Sequence, residues 1–286
     1  MNFANQTWVQ NFVLVGFTPT QYFQVLVFLG VLSIYLLTLA GNLFIIILVQ
    51  ADSALGTPMY FFISILSFLE VWYLSASPSY VFHSLGMTEC YLLGIMALDR
   101  YCAICRPLHY HSIMGSSVQV WLATASWVAG FSAALVPTCL TASLPFCQKK
   151  IAHYFCDLAP LMRLACVGTD WHAHIHGAVI GVATGCNFML ILLLYGGILR
   201  AVLRLPTAAS RAKAFSTCSS HMIVVALFYS SAFAVYVGPP GGRKEGSDKL
   251  IALVYALLTP FLNPIIYTLR NREVKEAVKR VMALGS

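Results

Sequence analysis

The sequence predicts an all-α membrane protein built as a bundle of seven transmembrane helices, and three observations lead there. Of its 286 residues, 59% are hydrophobic and 9% charged, whereas about a quarter of the residues in a soluble domain are charged. Apolar runs long enough to cross roughly 30 Å of hydrocarbon, about 20 residues as helix, recur from one end to the other. These runs are continuous, while a membrane β-barrel would alternate apolar and polar residues.

In chain order the runs place helices at 23–49, 58–76, 81–104, 118–140, 173–199, 213–237 and 249–269. Residues 77–80, Ser-Pro-Ser-Tyr, form the expected turn between the second and third. The domain reading is one unit over 1–286, with a polar N-terminal segment 1–22, a bundle 23–269 and a tail 270–286 that carries a short amphipathic helix. No Lys or Arg precedes the first apolar run, so a cleaved signal peptide is not expected.

Positive charge near helix ends sets orientation. With the N-terminus outside, the cytoplasmic ends hold Arg100, Arg106, Arg200, Arg204, Arg211, Lys213, Arg270, Arg272, Lys275, Lys279 and Arg280. These outnumber Lys149, Lys150, Arg163, Arg243, Lys244 and Lys249 outside. The expectation is a multi-pass plasma-membrane protein with an extracellular N-terminus and a cytoplasmic C-terminus. Asn5, in the sequon Asn5-Gln6-Thr7, then faces the glycosylating side. The net charge of +7 is a topology signal and not a nucleic-acid patch, because no soluble basic domain exists to carry one.

Carboxylates inside hydrocarbon are costly and therefore candidates for function. Glu70 and Glu89 flank the 77–80 turn at similar distances, which puts them at similar depth in neighbouring helices. Such a pair needs a shared cation, a shared proton or a hydrating cavity; the alternative is that each is protonated and bonded to Ser or Thr. Asn42, after Gly41, and Asn263, before Pro264, are amides in apolar helices, where they commonly bond across to a neighbour. Pro264 removes a helical hydrogen bond and kinks the seventh helix. Asp99 and Arg100 fall where the third helix meets water, either as an ion pair with two arrangements or as an interfacial anchor. Beyond the seventh helix Val274, Ala277, Val278, Val281 and Met282 recur at helical spacing opposite Arg272, Lys275, Lys279 and Arg280, the pattern of an interfacial helix on an anionic leaflet.

No nucleophile triad, phosphate loop or regular metal-ligand spacing appears, so the sequence does not read as an enzyme. His172, His174 and His176 include a pair four residues apart that could share a metal, but at an outer helix end they are equally solvated or interfacial groups, and no metal site is assigned.

Four motifs stand out: Met96-Ala-Leu-Asp-Arg-Tyr-Cys-Ala-Ile-Cys105, Pro58-Met-Tyr-Phe-Phe62, Lys213-Ala-Phe-Ser-Thr-Cys-Ser-Ser-His221 and Pro260-Phe-Leu-Asn-Pro-Ile-Ile-Tyr267. With them the chain resembles the odorant (olfactory) receptor family of rhodopsin-like, class A G-protein-coupled receptors. The resemblance implies a receptor for small, mostly apolar volatile molecules that activates a heterotrimeric G protein of the stimulatory, olfactory type and raises cyclic AMP. It implies coupling or switch roles for Asp99, Arg100, Tyr101, Lys213, Asn263, Pro264 and Tyr267. Glu70 and Glu89 would hold a sodium ion or a proton. Ligand contacts would come from Phe82, His83, Gly86 and Met87, and from Tyr229, Phe233 and Tyr236. Cys147 would pair with Cys166.

The chain departs from the family at Leu98, where Tyr is usual, and more seriously between residues 58 and 105. There the family carries about two dozen more residues, supplying outer helix ends and an external loop, so the hairpin of the second and third helices is expected to be shortened. The bridging cysteine of the third helix has its place near Ser75, leaving Cys156 either an unpaired external thiol or a thiol buried under its loop. Two further readings stay open: a receptor-derived variant or pseudogene-like product that does not fold or signal, and a transporter or channel using Glu70 and Glu89 as an ion path.

Overall fold

A computed structural model describes residues 11–15, 21–75, 79–151, 153, 158–236, 245–270 and 272–284. Its helices are α1 (Gln21–Ala51), α2 (Pro58–Ser75), α3 (Ser79–Cys105), α4 (Tyr110–Ile113), α5 (Ser116–Ala142), α6 (Leu158–Met162), α7 (Asp170–Leu203), α8 (Ala208–Tyr236), α9 (Glu245–Arg270) and α10 (Arg272–Leu284). Four of them, α1, α3, α5 and α7, are long and apolar enough to cross a membrane, and shorter apolar stretches occupy α2, α8 and α9. Together they make the seven-transmembrane bundle. Only helices satisfy every backbone group within one segment inside lipid, so long apolar runs have no other stable form.

Local chemistry sets several boundaries. After α1 the Asp52 side chain caps a 3-10 turn, Ser53–Leu55, by accepting from Ala54 N at 2.9 Å, and Pro58 opens α2, where its missing N–H costs nothing. Asp170 in the first turn of α7 and Arg200 in its last complement the helix dipole. The expected turn at 77–80 is corrected, because Ser79 and Tyr80 are already helical. Tyr80 is held there by a tertiary contact, its ring set edge-on to Phe131 and its hydroxyl donating to the Phe131 carbonyl at 3.2 Å. α7 and α9 also extend beyond their apolar runs, since polar turns continue a helix after it leaves hydrocarbon.

α3 is the centre of the bundle. Its apolar window is 72% buried, against 17–28% for the corresponding windows of α1, α5 and α7. It touches α2, α5, α7 and α8, while α1 joins α2 to α9 and α9 joins α8, closing the ring. Lipid tails are as apolar as leucine, so burial alone does not hold such helices together. Close approach and polar contacts do. A Cβ added at Gly41 of α1 would lie 3.2 Å from the ring of Pro264, and one at Gly130 of α5 would lie 2.7 Å from the backbone nitrogen of Thr88 in α3.

Among the described residues of the hairpin, α3 has 27 and α2 has 18. At the other end of the chain, α10 buries Val274 and Ala277 in the main core, while Val281 is exposed. Tyr60 of α2 donates to Glu273 at 2.5 Å, and Arg280 pairs with Asp52 at 2.8 Å, so α10 is tied to the α1–α2 turn. The Ala54 N–H first, and then Arg280, hold the Asp52 carboxyl below its ordinary value.

Opposite the Arg100 end, between α5 and α7, Cys147 and Cys166 form a disulfide. A short strand β1 (Val13–Leu14) runs parallel to β2 (Lys150–Ile151), with Val13 N and Val15 N each donating at 2.8 Å, and Phe12 meets Phe146 edge-on. Sequence periodicity gives no warning of so short a strand. The bridge spans 19 residues, a closure worth about 3 kcal/mol. Changing both Cys147 and Cys166 to Ser should therefore lower the melting temperature of the purified protein by several degrees, and an unchanged melt would show that the loop is held by other contacts.

Candidate functional site

The bundle interior holds a polar core contributed by four helices. Asn42 of α1, Glu70 of α2, Glu89 of α3, and Asn263 and Tyr267 of α9 are each at most 2% exposed. Asn263 donates its amide to Glu70, and Glu89 is buried beside them in the polar interior. Pro264 has no N–H, which frees the Pro260 carbonyl one turn earlier. Asn42 donates to that carbonyl at 3.4 Å and to Thr38 O at 3.1 Å, so the carbonyl that Pro264 frees in α9 takes the amide of α1. Gly41 lets the Pro264 ring come near enough for this.

Among the described residues, five buried oxygens of the core have no hydrogen-bond partner: Glu70 Oε2, Glu89 Oε1, Asn42 Oδ1, Asn263 Oδ1 and the Tyr267 hydroxyl. Orphaned buried polar atoms are costly, and an all-oxygen set suits a hard monovalent cation or protons on the carboxylates.

Towards the end of α3, Asp99 and Arg100 form a buried ion pair. Arg100 Nε donates to Asp99 Oδ2 at 3.0 Å, and the Tyr110 hydroxyl of α4 donates to Asp99 Oδ1 at 2.7 Å. Burial first, and then the Asp99 carboxylate, push the Tyr110 hydroxyl above its ordinary value, so it stays a donor. Near Arg100, Tyr195 of α7 pairs with His221 of α8 at 2.6 Å, their rings stacked. Cys218 of α8 is buried with Ile198 and Val202 of α7, with Tyr101 against them, and a side chain on Gly197 would strike the Tyr101 ring. The Lys213 side chain lies outside the described residues, as do Asn5 and Cys156.

Towards the Cys147 end, Phe82 stacks on Tyr73 at 4.5 Å and His83 meets His176 of α7, ring centres 5.5 Å apart. Gly86 lies beside Tyr73 and Met87 is buried. Tyr229 of α8 sits deeper, accepting from Asn187 of α7 at 2.9 Å and lying 3.4 Å from Cys90 Sγ. Asn187 also donates to Cys90 O at 2.6 Å, linking α3, α7 and α8. Phe233 stands apart, 65% exposed, and the Tyr236 side chain lies outside the described residues. His174 turns to the Asp170 carbonyl. Among the described residues no three His, Cys, Asp or Glu side chains are arranged to hold a metal. Sequence reasoning missed Tyr110, Asn187, Tyr195 and His221 as partners, since each contact joins two different helices and no local pattern encodes it.

Seven apolar helices around a buried polar core define a multi-pass membrane protein of the seven-helix class. Residues 73–284 match the sequence profile of the family described as Olfactory receptor. The chain is 43% identical to human Olfactory receptor 6N1, covering 98% of this chain and 97% of that protein. It is 43% identical to human Olfactory receptor 11H6 (97% and 91% covered) and 42% to human Olfactory receptor 10C1 (98% and 97%). This chain belongs to the olfactory receptor family, which comprises receptors and not enzymes. The 6N1 match extends over 303 positions, more than the 286 residues available here, so that relative has residues without a counterpart in this chain.

Proposed function

We propose that this olfactory receptor sits in the plasma membrane with its N-terminus outside and binds a small, mostly apolar volatile molecule between the outer halves of α3, α7 and α8. Binding favours an arrangement in which Arg100 leaves Asp99 and the start of α8 moves outward. That change admits a stimulatory, olfactory-type heterotrimeric G protein and raises cyclic AMP. The observation that supports this most directly is the Asp99–Arg100 pair with its Tyr110 latch, a buried element with two possible arrangements at the end where Lys and Arg concentrate. The ligand contacts are Phe82, His83, Gly86, Met87 and Tyr229, a mainly apolar set with few polar groups, as a site for volatile molecules requires. Phe233 and Tyr236 complete the set drawn from the resemblance.

Glu70 and Glu89, with Asn42, Asn263 and Tyr267, fit a sodium ion by their orphaned oxygens. Such an ion would offset the charge of one carboxylate, with the other held protonated, and would steady α9 against α2. Exchanging sodium for choline should then shift the odorant dose–response of the wild type and leave that of Glu70→Gln where it is; identical behaviour of the two would remove the ion.

The receptor reading is tested by expressing the chain with a surface epitope and a cyclic AMP reporter, and challenging it with an odorant panel. A dose-dependent response is expected. Surface display without any response would instead favour a receptor-derived product that does not signal, a reading motivated by the shortened α2–α3 hairpin and the lack of the family's bridging cysteine at the outer start of the third helix. A version with the α2–α3 hairpin lengthened and that cysteine restored separates the two.

A further inference from the structure

We propose that the cavity between α8 and α9 is a second binding site, taking a benzene-sized molecule that carries one hydroxyl group and arrives through the bilayer. The cavity measures about 150 Å³ and is lined by Leu227, Ser230 and Ser231 of α8 and by Leu258, Thr259 and Leu262 of α9. An apolar protein cavity of about this volume is large enough to take benzene. Leu258 is 40% exposed and Ser230 is exposed, so the mouth opens on the outer surface of the bundle, where the solvent is lipid. Thr259 is buried at the back.

The lining decides the chemistry of the guest. Ser230 Oγ donates to Leu227 O at 3.2 Å, and Ser231 Oγ donates to Leu227 O at 2.6 Å and Phe228 O at 3.0 Å. Each serine thus uses its only proton inside its own turn and keeps lone pairs for anything that enters. The O–H group of a guest donates to one of them, a hydrogen bond that a hydrocarbon of the same shape, or a lipid tail, does not supply in a medium without water. The three leucines match the apolar body of such a guest. The site shares no residue with the ligand set of α3 and Tyr229, and it does not depend on that set being correct. Its floor nevertheless adjoins the polar core, since Thr259 precedes Pro260, whose carbonyl receives Asn42, and Leu262 precedes Asn263.

The test uses the full-length receptor in phospholipid nanodiscs and a six-carbon alcohol carrying a diazirine in its chain, followed by photolysis, digestion and mass spectrometry. Label is expected in 227–231 and 258–262. Benzyl alcohol should compete for it at a concentration in the bilayer at least tenfold lower than toluene requires. Filling the cavity from either wall, by Ser231→Leu or Leu227→Trp, should remove that labelling while leaving the melting temperature of the unlabelled receptor within a few degrees. Label elsewhere, label that no alcohol displaces, or equal competition by toluene would overturn the proposal. If both variants fail to fold, the competition on the unaltered receptor still decides it.

Discussion

Gly130→Leu is expected to remove the receptor from the cell surface almost completely. Even a single Cβ at this position would lie 2.7 Å from Thr88 N and 2.9 Å from Ser84 O, both backbone atoms of α3. Backbone in the central helix cannot swing aside as a flexible side chain can, so α5 and α3 must separate. One excess methylene in a filled core costs about 1–3 kcal/mol. A leucine at a helix crossing adds several, against a total stability of roughly 5–15 kcal/mol. Gly181→Leu provides the control, because nothing lies within 4 Å of a Cβ added there on the lipid side of α7. Flow cytometry on an N-terminal epitope should show near-background signal for Gly130→Leu and a normal level for Gly181→Leu. Equal surface levels would mean that α3 and α5 do not cross as closely as described.

The second large effect concerns the lock. Asp99→Asn should raise ligand-independent cyclic AMP severalfold, because the charge that holds Arg100 is gone while the side chain can still accept from Tyr110. Tyr110→Phe should act in the same direction through one lost hydrogen bond to a charged group, about 1.5 kcal/mol, which is roughly a tenfold shift in a two-state population. Arg100→Ala should do the opposite and abolish the odorant response, since the group that is released is missing. It also leaves a buried carboxylate short of its partner, so its surface level must be measured beside the response. The informative comparison is between Asp99→Asn and Tyr110→Phe at matched surface level. Basal signalling that stays flat in both would show that the pair is an anchor and not a switch.

Much of this was legible in the chain. Seven apolar runs, the position of each helix within a few residues, the carboxylates in hydrocarbon and the motifs around Arg100 and Pro264 are all local patterns. The Cys147–Cys166 pairing came from the resemblance alone, and the structure forms that bridge. Less could be read of the site's composition. His83 and Tyr229 were named, yet their partners His176 and Asn187 come from α7. Phe233, on the same apolar helix as Tyr229, turned out to be 65% exposed. Hydropathy reports that a residue lies in the membrane, but in lipid an apolar side chain facing outward is as stable as one facing in, so the buried face leaves little trace.

The sequence by itself determined the class of protein, its seven spans and the residues that must be special, because a charge or amide in hydrocarbon is costly wherever the helix points. Only the tertiary structure decided what those residues do to one another. It set Asn263 on Glu70, put Asn42 on the carbonyl that Pro264 frees, and brought Tyr110 to Asp99. Two of these three contacts join positions roughly two hundred residues apart, and no local pattern encodes such a meeting. It arises from where glycines such as Gly41 and Gly130 allow one helix to come close to another.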